Sequence, residues 1–229
     1  MTVGNQRQYT GTAGRTENAQ VAVYGGAGRA AGQAGQGRQN LRIGTDAEVA
    51  WIANGTSMGR TITAAIPPVF DAYATVVLPD SDEERKQRDL AVSALLSEQS
   101  AGQPWWLGYR DTGVDDIVFP GAPMVTLYSG WHYVLVEAGP EQAATWRRND
   151  PGSYGALPNL IFPADRSWLV STLWDDDWSR IGGPAGLVGR FLHHADLRAG
   201  HARPRRHATV SPGAVTRPAS GVTRSAHQP

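Results

Sequence analysis

Short apolar runs separated by turn signals recur through the middle of this chain and constrain its fold most. The runs are rich in β-branched and aromatic residues, and pairs of them flank short turn sequences containing Gly, Pro or Asp, as in β-hairpins. The pairs are Trp105–Tyr109 with Val114–Phe119, Met124–Tyr128 with Trp131–Glu137, and Leu160–Phe162 with Trp168–Leu173. Thr61–Ile66 and Tyr73–Leu78, separated by Pro67-Pro68, are two further predicted strands. The pattern predicts a sheet built mainly from hairpins.

Helix signals occur in three segments of the same region. The first opens at Ser81 with capping-box spacing to Glu84, ahead of an apolar stripe. The other two open at Pro140 and Pro184, because proline suits the first turn of a helix. Strand pairs alongside separate helices, without strict alternation, predict an α+β fold with a mainly antiparallel sheet and about three helices.

The two ends of the chain differ in composition from its middle. Residues 1–40 are rich in Gly, Gln and Arg, and residues 199–229 in Pro, Arg and His, so both are predicted to be disordered tails. Four arginines against one glutamate give the first tail +3, and five arginines without an acid give the second +5. Because the whole chain is neutral, the predicted single domain, residues 41–198, carries −8.

Composition narrows the classes of protein to which the chain can belong. Without cysteine there are no disulfides, thiolate zinc sites or cysteine nucleophiles. No apolar run is long enough to cross a bilayer, and the first residues lack the apolar core of a signal peptide, so a cytoplasmic protein without a membrane partner is expected. Nucleic acid is not an expected partner of the acidic domain, although the basic tails would contact it non-specifically.

The strongest candidate for a functional site is the segment Trp174-Asp175-Asp176-Asp177-Trp178, directly after a predicted strand. In a continuous strand Asp175 and Asp177 would share one face and chelate Mg²⁺ or Mn²⁺, while Trp174, Asp176 and Trp178 would share the other. In the favoured alternative the aspartates form the tip of a hairpin, since Asp is a common turn residue. A third interpretation makes the segment a binding surface.

Other candidate residues lie near this segment or on a neighbouring predicted hairpin. Arg180 and the dipeptide Asp165-Arg166 suit either structural ion pairs, which we favour, or sites that hold an anion. The pair Trp105-Trp106 would form an acidic and aromatic interaction face with Arg110, Asp111, Asp115 and Asp116 of the same predicted hairpin if one tryptophan is exposed. His132 is predicted to be structural, because no nucleophile motif accompanies it.

Several sequence pieces resemble an uncharacterised family of soluble proteins from G+C-rich bacterial genomes. The similar pieces span most of residues 46–195 and neither tail. The resemblance implies a folded domain and brings no activity, cofactor or partner with it. The pieces are Ala50-Trp51-Ile52, Ala65-Ile66-Pro67, Phe70–Ala74, Trp105–Tyr109, Tyr133–Val136, Phe162–Trp168 and Ile181-Gly182-Gly183.

These observations leave three functional hypotheses. The first is a non-catalytic, immunity- or antitoxin-like domain that binds a protein through an acidic, tryptophan-bearing face and needs no cofactor. The second is a divalent-metal-dependent enzyme that uses the Asp175–Asp177 cluster on an anionic substrate. The third is small-ligand binding in an aromatic pocket lined by Trp105, Trp131 or Trp168.

Overall fold

The computed structural model describes residues 20–21, 41–59, 61–100, 102–111, 119, 121–147, 157–173 and 176–204. Ten strands and four α-helices lie within these ranges. The strands are β1 Gln20–Val21, β2 Leu41–Ile43, β3 Ala72–Val77, β4 Trp105–Arg110, β5 Met124–Leu127, β6 Trp131–Ala138, β7 Leu160–Pro163, β8 Leu169–Ser171, β9 Trp178–Gly183 and β10 Ala199–His201. The helices are α1 Asp46–Gly55, α2 Asp82–Gln99, α3 Pro140–Thr145 and α4 Ala185–His193, and a 3₁₀ helix spans Ile62–Ala64.

All ten strands join one sheet in the order β1-β2-β6-β4-β7-β8-β9-β3-β10, with β5 also paired to β6. Every pairing recorded between these strands is antiparallel. Strand β6 has β4 along one edge, while β5 and β2 share its other edge. Strand β5 pairs with the first residues of β6, Trp131 to Val134, and β2 pairs with Val136 and Glu137 near its end. The β5–β6 hairpin therefore projects from one end of the sheet.

Helices cover both faces of this sheet. Helices α2, α3 and α4 pack on one face and form the first core, in which Trp105 and Trp168 meet edge to face at 5.3 Å. Helix α1 and the 3₁₀ helix pack on the other face and form the second core, which includes Trp106 and Phe162. Since β4 lies between the two cores, it is buried on both sides.

Side-chain caps in the local sequence explain where helices α1 and α2 begin. Thr45 caps α1: its backbone N–H and its hydroxyl both donate to Glu48 Oε2 at 2.7 Å, and the same hydroxyl accepts from the Ala47 N–H. Burial raises the pKa of Glu48, but the hydrogen bonds with Thr45 outweigh it and leave that pKa below its usual value. Ser81 caps α2 by accepting from the Glu84 N–H, as the sequence predicts.

The α+β class and the mainly antiparallel sheet are confirmed. Strands occur at six of the predicted positions, and all three predicted helices form. The prediction for Thr61–Ile66 is wrong: this run contains the 3₁₀ helix, and its residues 62–66 are all buried, so it has no alternating strand face. Helix α1 was not predicted. The predicted strand Val114–Phe119 lies outside the described residues except for Phe119.

Most of both predicted tails also lies outside the described residues. Strands β1 and β10 nevertheless come from sequence beyond residues 41–198, and β10 pairs with β3 at the edge of the sheet. Of the helices in the described ranges, none combines the length and the apolar character that crossing a bilayer requires.

Candidate functional site

A pocket of about 840 Å³ lies on the second-core side of the sheet, beyond the end of that core. Three segments surround it: the end of α1 with the residues after it, the β5–β6 turn, and the connection from β8 to β9. We call it the Arg180 pocket. Its lining is Ala53, Thr56 to Gly59, Ala64, Thr126 to Trp131, Leu173, Asp176, Trp178 and Arg180.

Arg180 reaches this pocket from the middle of β9. It lies opposite Ser171 of β8 on one side and Thr75 of β3 on the other. Although it lines the pocket, the residue is only 2% exposed. Its Nη1 donates to Oδ2 of Asp176, whose backbone N–H in turn donates to the Leu173 carbonyl at 3.3 Å. The ion pair thus holds the β8–β9 connection against β9.

Tyr128 forms the facing wall. It occupies the β5–β6 turn with φ 48°, followed by Ser129 at 68° and Gly130 at 112°. A large side chain rarely adopts this left-handed conformation, so other contacts must stabilise it. The Tyr128 hydroxyl donates to the Ala65 carbonyl at 3.0 Å and lies 3.0 Å from Ser171 Oγ. Burial raises the pKa of Tyr128, which outweighs the effects of Ser171 and Arg180, so the phenol stays neutral at physiological pH.

Two tryptophans complete the walls. The Trp131 ring lies edge to face with Tyr128 at 6.5 Å, and the Arg110 guanidinium lies 4.5 Å from the centre of the Trp131 ring. Trp178 stands at the mouth with 36% exposure, and the Arg180 guanidinium is 5.8 Å from its ring centre. These aromatic surfaces favour an organic ligand over a hydrated ion.

A second buried polar group supports β9 from the first-core side. Arg88 of α2, 4% exposed, donates from Nη1 to Asp89 Oδ1 at 2.6 Å and from Nη2 to Ser179 Oγ. The Ser179 hydroxyl is also 2.6 Å from Thr172 Oγ1. Because Ser179 and Arg180 point to opposite faces of β9, these contacts fix the strand that carries Arg180.

Comparisons of the chain with protein-family models, with curated proteins and with solved structures return no match. The resemblance to an uncharacterised family therefore stays a prediction.

The aspartate segment is only partly described, because Trp174 and Asp175 lie outside the described residues. Asp176 turns into the pocket to pair with Arg180, whereas Asp177 is exposed and its carbonyl accepts from the Leu78 N–H at 2.7 Å. The segment therefore connects two strands of a hairpin, and Asp176, Trp178 and Arg180 meet in one place. Among the described residues no group of three His, Cys, Asp or Glu side chains is placed to hold a metal ion.

Asp165 and Arg166 lie elsewhere. They form the β7–β8 turn, at the opposite end of β8 from the β8–β9 connection. Asp165 accepts from Gln103 Nε2 and from the Ser167 N–H, both at 2.9 Å, and these bonds outweigh burial and lower its pKa. The Arg166 guanidinium lies 5.8 Å from the ring centre of Trp51. Asp165 thus stabilises the turn, Arg166 contacts helix α1, and neither residue lines the pocket.

The interaction face predicted around Trp105 and Trp106 is corrected by the structure. Their exposures are 0% and 4%, because helices cover both sides of β4, so neither offers a surface to a partner. Arg110 from the same predicted face stacks instead against Trp131, behind the pocket wall. His132 is exposed on the face of β6 opposite to Trp131, and its Nδ1 lies 3.2 Å from Thr126 Oγ1.

Sequence reasoning missed Tyr128 and the residues after α1 as parts of the site. Of the tryptophans named for an aromatic pocket, Trp131 lines it, while Trp105 and Trp168 are fully buried in the first core. The sequence predicts Tyr128 as the last residue of a strand, whereas in the structure β5 ends at Leu127 and Tyr128 is the first residue of the turn. Its hydrogen-bond partners, 63 and 43 residues away in sequence, carry no local signal.

Proposed function

We propose that this chain is a binding domain that takes up a small organic molecule in the Arg180 pocket. The observation that carries the proposal is a guanidinium that is almost fully buried and still lines an open cavity. Burying a charged group costs free energy unless partners satisfy it. A buried charged group that lines a concave site is therefore a candidate for recognising a ligand.

The lining supports binding rather than catalysis. Among the described lining residues there is no histidine, and the one carboxylate, Asp176, is paired with Arg180. The Tyr128 phenol is held neutral by burial and engaged with Ala65 and Ser171. A general base within reach of a serine nucleophile is therefore missing from the described lining.

A ligand-observed NMR screen of a fragment library against the full chain tests this function. Ala53→Trp adds a bulky indole at a lining residue of α1 and leaves Arg180 and Asp176 unchanged in sequence, and it should abolish binding of hits. The matched control is Ala50→Trp, an exposed position on the same helix outside the lining, which should keep it. Hits that bind the Ala53→Trp variant as well as the wild type, or a screen without hits, would refute the proposal.

A second candidate is the protein-binding domain of the first hypothesis, shifted to the mouth of this pocket. Met58 and Trp178 line the pocket and are 87% and 36% exposed. Val77 lies outside the lining, is 39% exposed and is the cross-strand partner of Trp178. Exposed apolar side chains grouped at a concave surface are typical of protein interfaces. This candidate keeps the immunity- or antitoxin-like role, with Trp178 rather than Trp105 or Trp106 as the tryptophan that contacts the partner.

Affinity capture followed by mass spectrometry tests this second candidate. A partner retained by the wild type should be lost with Met58→Asp and kept with Leu90→Asp, an equally polar change at an exposed leucine on α2. Equal loss with both variants would show a general surface effect and count against the mouth as the interface.

A further inference from the structure

The charges of the Arg180 pocket form one adjacent pair of opposite sign. The side chains of Arg180 and Asp176 are 3% and 15% exposed, and no other charged residue occurs in the described lining. A ligand at this wall therefore meets a positive and a negative group side by side. Both charges act through a partly desolvated environment, where charge interactions are stronger than in water.

Both groups have bonding capacity beyond their mutual contact. A guanidinium carries several N–H donors and a carboxylate several acceptor positions. Within the described part of the chain, the recorded hydrogen bond of each side chain is the one between Nη1 and Oδ2. Arg180 thus offers donors to an anionic group, and Asp176 offers an acceptor to a cationic one.

The sign of the surroundings selects against a ligand with a single charge. A lone anion would lie beside Asp176 within a domain whose sequence carries −8. A lone cation attracted to Asp176 would lie beside Arg180. A ligand that carries an anionic and a cationic group side by side avoids both repulsions. Its two charges alternate in sign with those of Arg180 and Asp176, and it adds no net charge.

The remaining walls fit an apolar group attached to these charges. Trp131, Leu127 and Leu173 line the interior, and Met58 and Trp178 the mouth. The pocket volume of about 840 Å³ exceeds what the charged groups alone would fill. The Trp178 ring, close to Arg180, is placed to cover an aromatic or long aliphatic side chain.

Resting on the proposed function, we infer that the ligand is a free α-amino acid with a large apolar or aromatic side chain. Its carboxylate accepts from Arg180, its ammonium group donates to Asp176, and its side chain packs between Trp131 and Trp178. The ammonium group also gains from the neighbouring tryptophan faces.

Calorimetric titration of the full chain tests this inference with L-tryptophan, L-phenylalanine, L-leucine and L-methionine. For whichever binds most tightly, analogues lacking one charge are compared; for L-tryptophan these are tryptamine, indole-3-propionate and indole. We expect each single-charge analogue to bind at least about tenfold more weakly than the zwitterion, which is the usual scale for losing one good polar contact.

Variants locate the effect. Asp176→Asn should weaken binding of the amino acid by about tenfold or more and leave binding of indole unchanged. Asp177→Asn should change the affinity for neither ligand. Trp178→Leu, at the exposed mouth, should weaken binding of the aromatic amino acids without preventing folding. Near-ultraviolet circular dichroism verifies the fold of each variant.

Two results would overturn the inference while leaving the proposed function standing. One is an analogue with a single charge that binds as tightly as the zwitterion, and the other is binding of library fragments without binding of any of the four amino acids. Failure of the fragment screen itself would instead remove the proposed function.

Discussion

Arg180 donates through Nη1 to Oδ2 of Asp176, four residues earlier, so the β8–β9 connection folds back on the strand that it precedes. The pair links backbone geometry to the pocket: the same contact closes the connection and sets two opposite charges in the cavity wall. Its loss should therefore affect both stability and binding.

Asp176→Asn should lower the free energy of unfolding by about 3 kcal/mol, because the buried guanidinium loses its counter-charge. Urea denaturation monitored by tryptophan fluorescence measures this. Asp177→Asn is the matched control: the neighbouring carboxylate is exposed, and its removal should leave the midpoint unchanged. Equal midpoints for both variants would mean that the ion pair contributes little.

Ser129→Gly should stabilise the protein by about 0.5 kcal/mol, because Ser129 has φ 68° and glycine adopts that conformation without steric cost. The gain is reduced by the greater freedom of glycine in the unfolded chain. Ser167→Gly, in the β7–β8 turn at a residue without positive φ, is the control and should not stabilise. Thermal unfolding of the two variants decides the point.

The sheet could be predicted because its signals are local: apolar runs of strand length across turn residues define most of the hairpins. The errors have a physical cause. The run around Ile62 is β-branched, yet it is buried on all sides under the second core and coils into a 3₁₀ helix. Helix α1 presents only Val49 and Ile52 as fully buried residues, too few for a clear stripe, although Thr45 and Glu48 carry its capping-box signature.

The site was less predictable, because it depends on which residues meet. Asp176, Trp178 and Arg180 were identified since they are neighbours in sequence. Alternation along β4 predicted opposite faces for Trp105 and Trp106 correctly, but a sequence does not show that both faces are covered. The role of Tyr128 rests on contacts with Ala65 and Ser171, which only the folded sheet brings together.

Raising the pH above about 10 should destabilise the protein steeply. Burial raises the pKa values of Tyr109, Tyr128 and Tyr133 in the folded state. The unfolded chain therefore releases these protons first, so the stability that they provide is complete below the ordinary tyrosine pKa and is lost as the pH rises beyond it.

Absorbance of tyrosinate across an alkaline titration checks this prediction. Part of the tyrosine signal should develop only together with unfolding. Tyr133→Phe is informative, because the Tyr133 hydroxyl is buried and has no hydrogen-bond partner among the described residues. That variant should be at least as stable as the wild type at neutral pH and less sensitive to alkali. Simple titration of all tyrosines at their ordinary pKa in the folded protein would contradict the structure.

Gly182→Ala should lower the free energy of unfolding by about 2–3 kcal/mol, because the added methyl group overpacks the second core. A Cβ at Gly182 would lie 2.6 Å from Ile66 Cγ2 and against the Phe70 ring. The control is Gly186→Ala in α4, where nothing lies within 4 Å of the new carbon and alanine favours the helix. Chemical denaturation should show the first variant destabilised and the second slightly stabilised. If both changed in the same direction, the close packing of Ile66 and Phe70 onto β9, two residues from Arg180, would be wrong.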